Sequence, residues 1–246
     1  MDLGLNGKTA LITGGSAGLG LACAQALAAE GVSVLLSSRS EDKLAAAAAT
    51  IDGAQHVAAD VGDPTSRQAL MDAAESMLGQ VDIVVANAGG PPSGNFESTD
   101  VDAYRDAVEL NMMSTIDLCK RFIPAMQVRG WGRVVAITSL SVRQPMPNII
   151  LSNTARAGLT AFLKTTAREV AKDGVTVNSM QPGLHKTDRL TEIYDDLEAL
   201  AQNVPAKFIG DPVDFGSTCA FLCSDAAKFI TGAAIPLDGG AHAGLQ

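Results

Sequence analysis

The chain has 246 residues, 47% of them hydrophobic and only 4% aromatic, with 24 glycines. That is enough for one large α/β domain of small-residue helices packed on a sheet, and too little for two ordinary domains or an aromatic-rich β-sandwich. A net charge of −9 excludes a nucleic-acid groove, and no apolar run is long enough to span a bilayer.

Short apolar runs alternate with longer helical patterns along the chain. Strands are expected at Thr9–Ile12, Ser33–Leu36, Gln55–Ala58, Ile83–Ala86, Arg133–Ile137, Thr176–Met180 and near Ala234–Leu237. Helices are expected between them at Leu19–Ala29, Glu41–Ile51, Thr65–Leu78, Val101–Arg129, Ser152–Lys172 and Pro212–Cys223. Strict β/α alternation predicts a doubly wound parallel sheet of about seven strands with helices on both faces, in a single domain covering 1–246. The polar segment Leu184–Ile209 breaks this rhythm just after a strand, so a lid-like insertion is expected at about 184–210.

Cys23, Cys119, Cys219 and Cys223 lack metal-ligand spacing and read as buried thiols of a reducing compartment; no metal is expected. The N-terminus has no basic segment followed by an apolar stretch, so a cytoplasmic location follows, with neither nucleic acid nor membrane as partner.

The strongest local signal is Ala10–Gly20, ALITGGSAGLG, an apolar strand that enters a glycine-rich turn and then a helix. Gly14, Gly18 and Gly20 allow a tight turn and close backbone approach, while the helix N-terminus offers free N–H groups to a pyrophosphate. After the second strand, Ser37-Ser38-Arg39-Ser40 contains no acid to hold a ribose 2′-hydroxyl. Arg39 with Ser38 and Ser40 suits a 2′-phosphate instead, so NADP(H) is favoured over NAD(H).

Thr13 to Gly20, Asp60-Val61, Asn87-Ala88-Gly89, Asn111, Ser139, Pro182-Gly183 and Asp238-Gly239-Gly240 follow one another in the order and spacing of a known family. On these motifs the chain resembles the short-chain dehydrogenase/reductase family, in its 3-oxoacyl-carrier-protein-reductase-like branch, over nearly its whole length. The resemblance implies a Rossmann fold and cofactor contacts from Gly14, Ser16, Gly18, Leu19, Gly20, Asp60, Val61, Asn87, Ala88, Gly89, Pro182, Gly183 and Thr187. It also implies hydride transfer between a nicotinamide and a ketone or secondary alcohol, in a homotetramer or homodimer built through the two long helices.

One stretch departs from the family. Its serine is followed thirteen positions later by tyrosine and four further on by lysine; counting from Ser139, these places hold Ser152 and Arg156. In the family the tyrosine protonates the carbonyl, the lysine lowers its pKa and binds the nicotinamide ribose, and the serine polarises the substrate oxygen. Arg156 can replace the ribose contact, because a guanidinium stays charged and donates in a fork. Ser152 is a poorer acid, and its oxygen reaches about 4 Å less far than a tyrosine hydroxyl. The catalytic set is therefore Asn111, Ser139, Ser152 and Arg156. The proton could come from a water held by Ser152, Ser139 and Arg156, from His185, which has the better pKa and otherwise reads as a solvated loop histidine, or from Tyr194 in the lid-like segment. A cofactor-binding protein or partner subunit with little turnover is the alternative.

Nearby features are softer. GGPPSGNF at 89–96 extends the Asn87 loop and would border a substrate, and Arg143 could bind an acidic one. Tyr104 reads as packing on its helix. Ser139 lies in no Gly-x-Ser-x-Gly elbow, and neither His56 nor His242 is placed to be its base, which argues against a hydrolase.

Overall fold

The computed structural model describes residues 2–244. Its elements run β1 (Thr9–Thr13), α1 (Gly18–Ala29), β2 (Ser33–Ser38), α2 (Glu41–Ala48), β3 (Gln55–Ala58), α3 (Pro64–Leu78), β4 (Ile83–Ala86) and α4 (Val101–Val108). They continue as α5 (Ser114–Arg129), β5 (Gly132–Ile137), α6 (Ile150–Val170), β6 (Val175–Pro182), α7 (Asp188–Ile193), α8 (Leu197–Ala201), α9 (Pro212–Cys223) and β7 (Ala234–Leu237). The seven strands form one parallel sheet in the order β3-β2-β1-β4-β5-β6-β7. The expected doubly wound single-domain Rossmann architecture is therefore present.

Period-two alternation explains why both sheet faces are covered. Ala10, Ile12, Val34, Leu36, Ile83, Val85, Val135 and Ile137 point to one side, where they meet Cys23 and Leu27 of α1, Leu44 of α2, and Phe215 and Cys219 of α9. Leu11, Leu35, Val84, Val134 and Ala136 point to the other and meet Leu70 of α3, Leu118 and Phe122 of α5, and Leu159 and Leu163 of α6. Each large aliphatic side chain so buried contributes about 1.5–3 kcal/mol of transfer free energy. Cys23, Cys119, Cys219 and Cys223 are all buried free thiols, and burial alone pushes Cys119 up to about 12.

Strand order reverses between β1 and β4, so the α1 and α4 crossovers leave on opposite sides and a crevice opens at the carboxyl ends of the strands. Among the described residues no helix is long and apolar enough to cross a membrane.

Three expected helices differ in their bounds by more than one residue, α6 among them, which runs Ile150–Val170 rather than Ser152–Lys172 and passes into a 3-10 turn at Ala171–Asp173. α2 stops at Ala48, not Ile51, because the Thr50 hydroxyl donates to the Ala47 carbonyl at 2.7 Å and closes the last turn. The single helix expected over Val101–Arg129 is interrupted by a π-turn, Glu109–Met113, with Asn111 at its centre. Two interactions hold that extra residue in place. The Ser114 hydroxyl donates to Leu110 O at 2.6 Å. Arg67, 1% exposed, bonds Glu109 and Asp117 on the two sides of the turn, at 2.6 and 2.8 Å, and donates to Val61 O at 2.6 Å. π-turns of this kind recur at functional positions because they re-aim one side chain out of the helical register.

The 184–210 excursion leaves and returns through a narrow neck. A parallel bridge joins His185 to Gly210, with Lys186 N–H donating to Gly210 O and Gly210 N–H to Leu184 O. Beyond the neck, α7 and α8 share a small apolar cluster of Leu190, Ala201, Val204 and Ile209, separate from both main cores.

Candidate active site

A cavity of about 1010 Å³ occupies the crevice at the strand ends. Gly14, Ser16, Ser38, Arg39, Asp60, Val61, Asn87, Ala88 and Gly89 line it, so most of the expected cofactor contacts converge on one space. Ser40, expected beside a 2′-phosphate, lines it too, as do Ala17, Lys43, Ala59, Leu110 and Arg189, which were not singled out from the sequence. Gly90, Pro91, Pro92 and Ser93, from the stiff loop expected to border a substrate, complete the wall.

The floor is built by the β1 turn. The Thr13 hydroxyl donates to Asn87 O at 2.8 Å and accepts from Asn87 N–H at 2.9 Å, tying the ends of β1 and β4 together. The Asn87 amide then donates to Gly14 O at 3.2 Å. Gly14 has φ +58°, and a Cβ there would lie 2.6 Å from the Asn87 amide nitrogen. At Gly20 a Cβ would fall 2.2 Å from Gly14 O, so α1 can approach β1 this closely only with glycine. Gly20 and Leu19 thus lie beneath the cradle, Leu19 packing toward the core. The cap residue of α1 is Ala17, which gives its first turn no side-chain acceptor. Those N–H groups face the cavity end marked by Ser16 and Ala17, ready for an anion.

At the β2 end, the Ser38 hydroxyl is buried without a partner, while Arg39 and Lys43 stand exposed beside it. Ser40 caps α2 by accepting from Lys43 N–H at 3.4 Å. At the β3 end, Asp60 accepts from Gly62 N–H at 2.9 Å and its own N–H donates to Ser66 Oγ at 2.9 Å, which fixes its carboxylate at the wall.

Asn111, Ser139, Ser152 and Arg156 lie around the carboxyl ends of β4 and β5, outside the main cavity lining. Asn111 is 2% exposed; its amide nitrogen donates to Gly89 O at 2.9 Å, and its Oδ1 is buried with no partner. The Ser139 oxygen accepts from Ser141 N–H at 3.1 Å, so its own proton is free to be donated elsewhere. Ser152, half-buried one helical turn before Arg156, has no hydrogen-bond partner among the described residues.

Arg156 is 7% exposed and forms no ion pair among the described residues. Its guanidinium donates to the carbonyls of Ile137 (2.8 Å), Thr138 (3.3 Å) and Ala88 (3.2 Å), joining the ends of β5 and β4. Burial, reinforced by the nearby Arg189 charge, holds its pKa down to about 10.

Pro182 and Gly183 close the far side: Gly183 N–H donates to Leu237 O at 2.9 Å, and a Cβ on Gly183 would meet the Asp238 Cα at 2.7 Å. Thr187 caps α7, and its methyl lies 3.3 Å from where a Cβ on Gly18 would be, so both sit on one wall without lining the cavity.

Several candidates are placed differently from the sequence reading. Arg143 is engaged in structure, donating to Gln181 Oε1 at 2.9 Å and Ala234 O at 2.7 Å beside a separate cavity of about 250 Å³. Tyr194 is 43% exposed at the end of α7, outside the cavity lining, whereas Tyr104 is half-buried on α4, as its reading as a packing residue requires. His185 is 8% exposed, with its Nδ1 3.3 Å from Gly183 O and its ring edge-on to Phe215 at 5.1 Å. The expected solvated loop histidine is thus a packing residue of the neck.

Burial depresses the His185 pKa, although the Gly183 carbonyl pulls the other way. The folded protein therefore binds the imidazole proton more weakly than the unfolded chain, and stability falls as pH drops through the ordinary histidine range near 6.5 toward the lower folded value. Between pH 7 and pH 5.5 the melting temperature of the wild type should fall further than that of His185→Gln, read by differential scanning fluorimetry. Parallel curves would mean that His185 does not titrate in this window.

An enoyl-(acyl carrier protein) reductase family model matches residues 14–242. The chain is 36% identical over 245 residues to the 3-oxoacyl-[acyl-carrier-protein] reductase FabG of Escherichia coli, covering 98% of this chain and 99% of that one. It is 34% identical over 245 residues to the acetoacetyl-CoA reductase of Cupriavidus necator, covering 96% and 99%. Among solved structures, the L-sorbose reductase of Gluconobacter frateurii complexed with NADPH and L-sorbose superposes with a TM-score of 0.93 at 32% identity over 100% of both chains. YwfH, an NADPH-dependent reductase involved in bacilysin biosynthesis, superposes with a TM-score of 0.92 at 26% identity over 97% and 99%. With the strand order, the glycine-rich turn and the Asn87, Asn111, Ser139 and Pro182-Gly183 landmarks in place, these matches show that the chain belongs to the short-chain dehydrogenase/reductase family.

Proposed function

We propose that the protein is an NADP(H)-dependent oxidoreductase acting between a ketone and a secondary alcohol, with Ser152 and Arg156 where its family uses tyrosine and lysine. The observation that carries this reading is the β2 end of the cavity: a buried, unpartnered Ser38 hydroxyl flanked by Arg39 and Lys43, with no acid among Ser37–Ser40 and neither Glu41 nor Asp42 in the lining. That donor set fits a 2′-phosphate, and an aspartate or glutamate for a bare ribose 2′-hydroxyl is missing. The solved relatives described with NADPH agree with it.

In this reading the first turn of α1, with Gly14, Ser16 and Gly18, holds the pyrophosphate; Asp60 and Val61 hold the adenine; Asn87, Ala88, Gly89, Pro182, Gly183 and Thr187 border the nicotinamide half. NADP(H) supplies the hydride when bound. Ser139, its oxygen already accepting a backbone N–H, donates its proton to the substrate oxygen. Arg156 keeps the carbonyls of Ala88 and Ile137 in place and presents positive charge to the cofactor ribose. Proton transfer runs through a water held by Ser152, Ser139 and Arg156, with a second water on the free Asn111 Oδ1. The 184–210 segment acts as the lid, hinged at the His185–Gly210 neck, and the long helices assemble the chain into a homodimer or homotetramer.

One observation favours the second reading, a cofactor-binding partner subunit with little turnover. Arg156 commits three donor contacts to backbone carbonyls, and no phenol stands beside it. The test of the cofactor reading requires no substrate. Titrated by nicotinamide fluorescence, the protein should bind NADPH at least about 100-fold more tightly than NADH, since two charge-assisted contacts separate the two ligands. Binding of neither would overturn the oxidoreductase reading.

A further inference from the structure

The loop after β4 and the helix α7 bring an unexpected cation to the substrate end of the cavity. Arg189 lies over Gly90: a Cβ on that glycine would be 2.9 Å from one guanidinium nitrogen and 3.1 Å from the other and from the carbon between them. Only a residue without a side chain lets the guanidinium rest there, and Pro91-Pro92 stiffen the loop beneath it. Arg189 has no ion pair and no hydrogen bond among the described residues, and it lines the cavity with Gly89, Gly90, Pro91, Pro92 and Ser93. It is also close enough to the buried Arg156 for the two charges to repel.

The charge pattern of the cavity is the second observation. In a chain of net charge −9, its lining carries Arg39, Lys43 and Arg189 and one acid, Asp60. Arg39 and Lys43 are at the β2 end with Ser38, where the proposed 2′-phosphate accounts for them. Arg189 stands over the Gly90 loop, with no ion pair among the described residues.

On this basis, and resting on the oxidoreductase reading above, we infer that Arg189 is a specificity-determining residue that pairs with a carboxylate of the substrate, making the preferred substrate a free oxo acid. A guanidinium takes a carboxylate in a two-pronged, planar contact, and an anion bound to Arg189 offsets the charge that it exerts on Arg156. The compounds named for two relatives, acetoacetyl-CoA and 3-oxoacyl-[acyl-carrier-protein], are thioesters, in which that carboxylate is absent. The same acyl group therefore separates the two recognition modes when offered once as acetoacetate and once as its neutral N-acetylcysteamine thioester.

The experiment compares wild type with Arg189→Met in three measurements: NADPH oxidation with each compound, NADPH affinity by fluorescence titration, and calorimetric binding of acetoacetate to the NADP⁺-loaded protein. Wild type is expected to favour acetoacetate by about 10-fold or more in kcat/KM. Arg189→Met should lose about 30-fold or more with acetoacetate, change little with the thioester, bind NADPH as before and lose the calorimetric signal, the size expected for one desolvated charge-assisted contact. Weakened NADPH binding in the variant would assign Arg189 to the cofactor phosphates and overturn the inference, as would equal losses with both compounds or a wild-type preference for the thioester. If neither compound is reduced, the calorimetric arm decides: acetoacetate binding that depends on Arg189 supports the inference, and binding that does not depend on it, or none, overturns it while the cofactor reading stands on its NADPH titration.

Discussion

Ser152→Ala is expected to lower kcat about 100-fold or more, the range typical for loss of a positioned proton-transfer group, while NADPH affinity stays within about 2-fold of wild type. Ser152 lies one turn before Arg156 on α6, half-buried, and its hydroxyl bonds to nothing among the described residues. A side chain with a purely structural role would have its hydroxyl satisfied by the helix, as Thr154, Thr160 and Thr165 do by donating to the carbonyls four residues before them. The alanine variant removes one oxygen from a helix surface facing the site, so a change in folding is a poor explanation for a large loss. Ser152→Tyr is the informative companion. A phenol there reaches the substrate oxygen directly and should support turnover without the water, at a rate no lower than wild type. The opposite pattern, a wild type without turnover made active by tyrosine and unaffected by alanine, would show that Ser152 is a remnant and that the chain serves as a cofactor-binding partner.

The fold was legible because its strands announce themselves locally. Runs such as Ile83–Ala86 and Val134–Ile137 are apolar throughout, as buried parallel strands must be, and the turn at Thr13–Gly20 carries its own geometric requirement in Gly14 and Gly20. What stayed hidden depends on distant residues. Nothing in AVELNMMSTIDL marks a π-turn; the turn is held from 42 and 50 residues away, by Arg67 on Glu109 and Asp117. His185 looked like a loop histidine because the residues that bury it, Gly210 and Phe215, lie 25 and 30 positions further along the chain. Lys43 and Arg189 belong to helices whose docking on the crevice no local pattern encodes. Lys43 had one available signal: it follows Arg39 by four residues across a strand–helix junction, where a first-turn cation stays near the strand end.

The second large effect concerns cofactor choice, and it is expected to be divided between two side chains. Arg39→Ala and Lys43→Ala should each weaken NADPH binding about 10-fold, and the double variant about 100-fold, with NADH affinity unchanged. The selectivity follows from position. Both cations flank the unpartnered Ser38 hydroxyl at the β2 end, away from the glycine-rich turn at Gly14–Ala17, so in the proposed binding mode only a ligand with a 2′-phosphate engages them. Both are exposed, so each contact is screened by solvent ions and carries less than a buried pair would. Raising salt from 50 to 500 mM should therefore weaken NADPH binding in wild type much more than in the double variant, and NADH binding little in either. Adding Ser38→Asp to the double variant supplies the missing acid for a 2′-hydroxyl and should reverse the preference. Equal losses for NADPH and NADH in the double variant would mean that Arg39 and Lys43 act on the common part of the cofactor, and the assignment of the 2′-phosphate to this end of the cavity would fail.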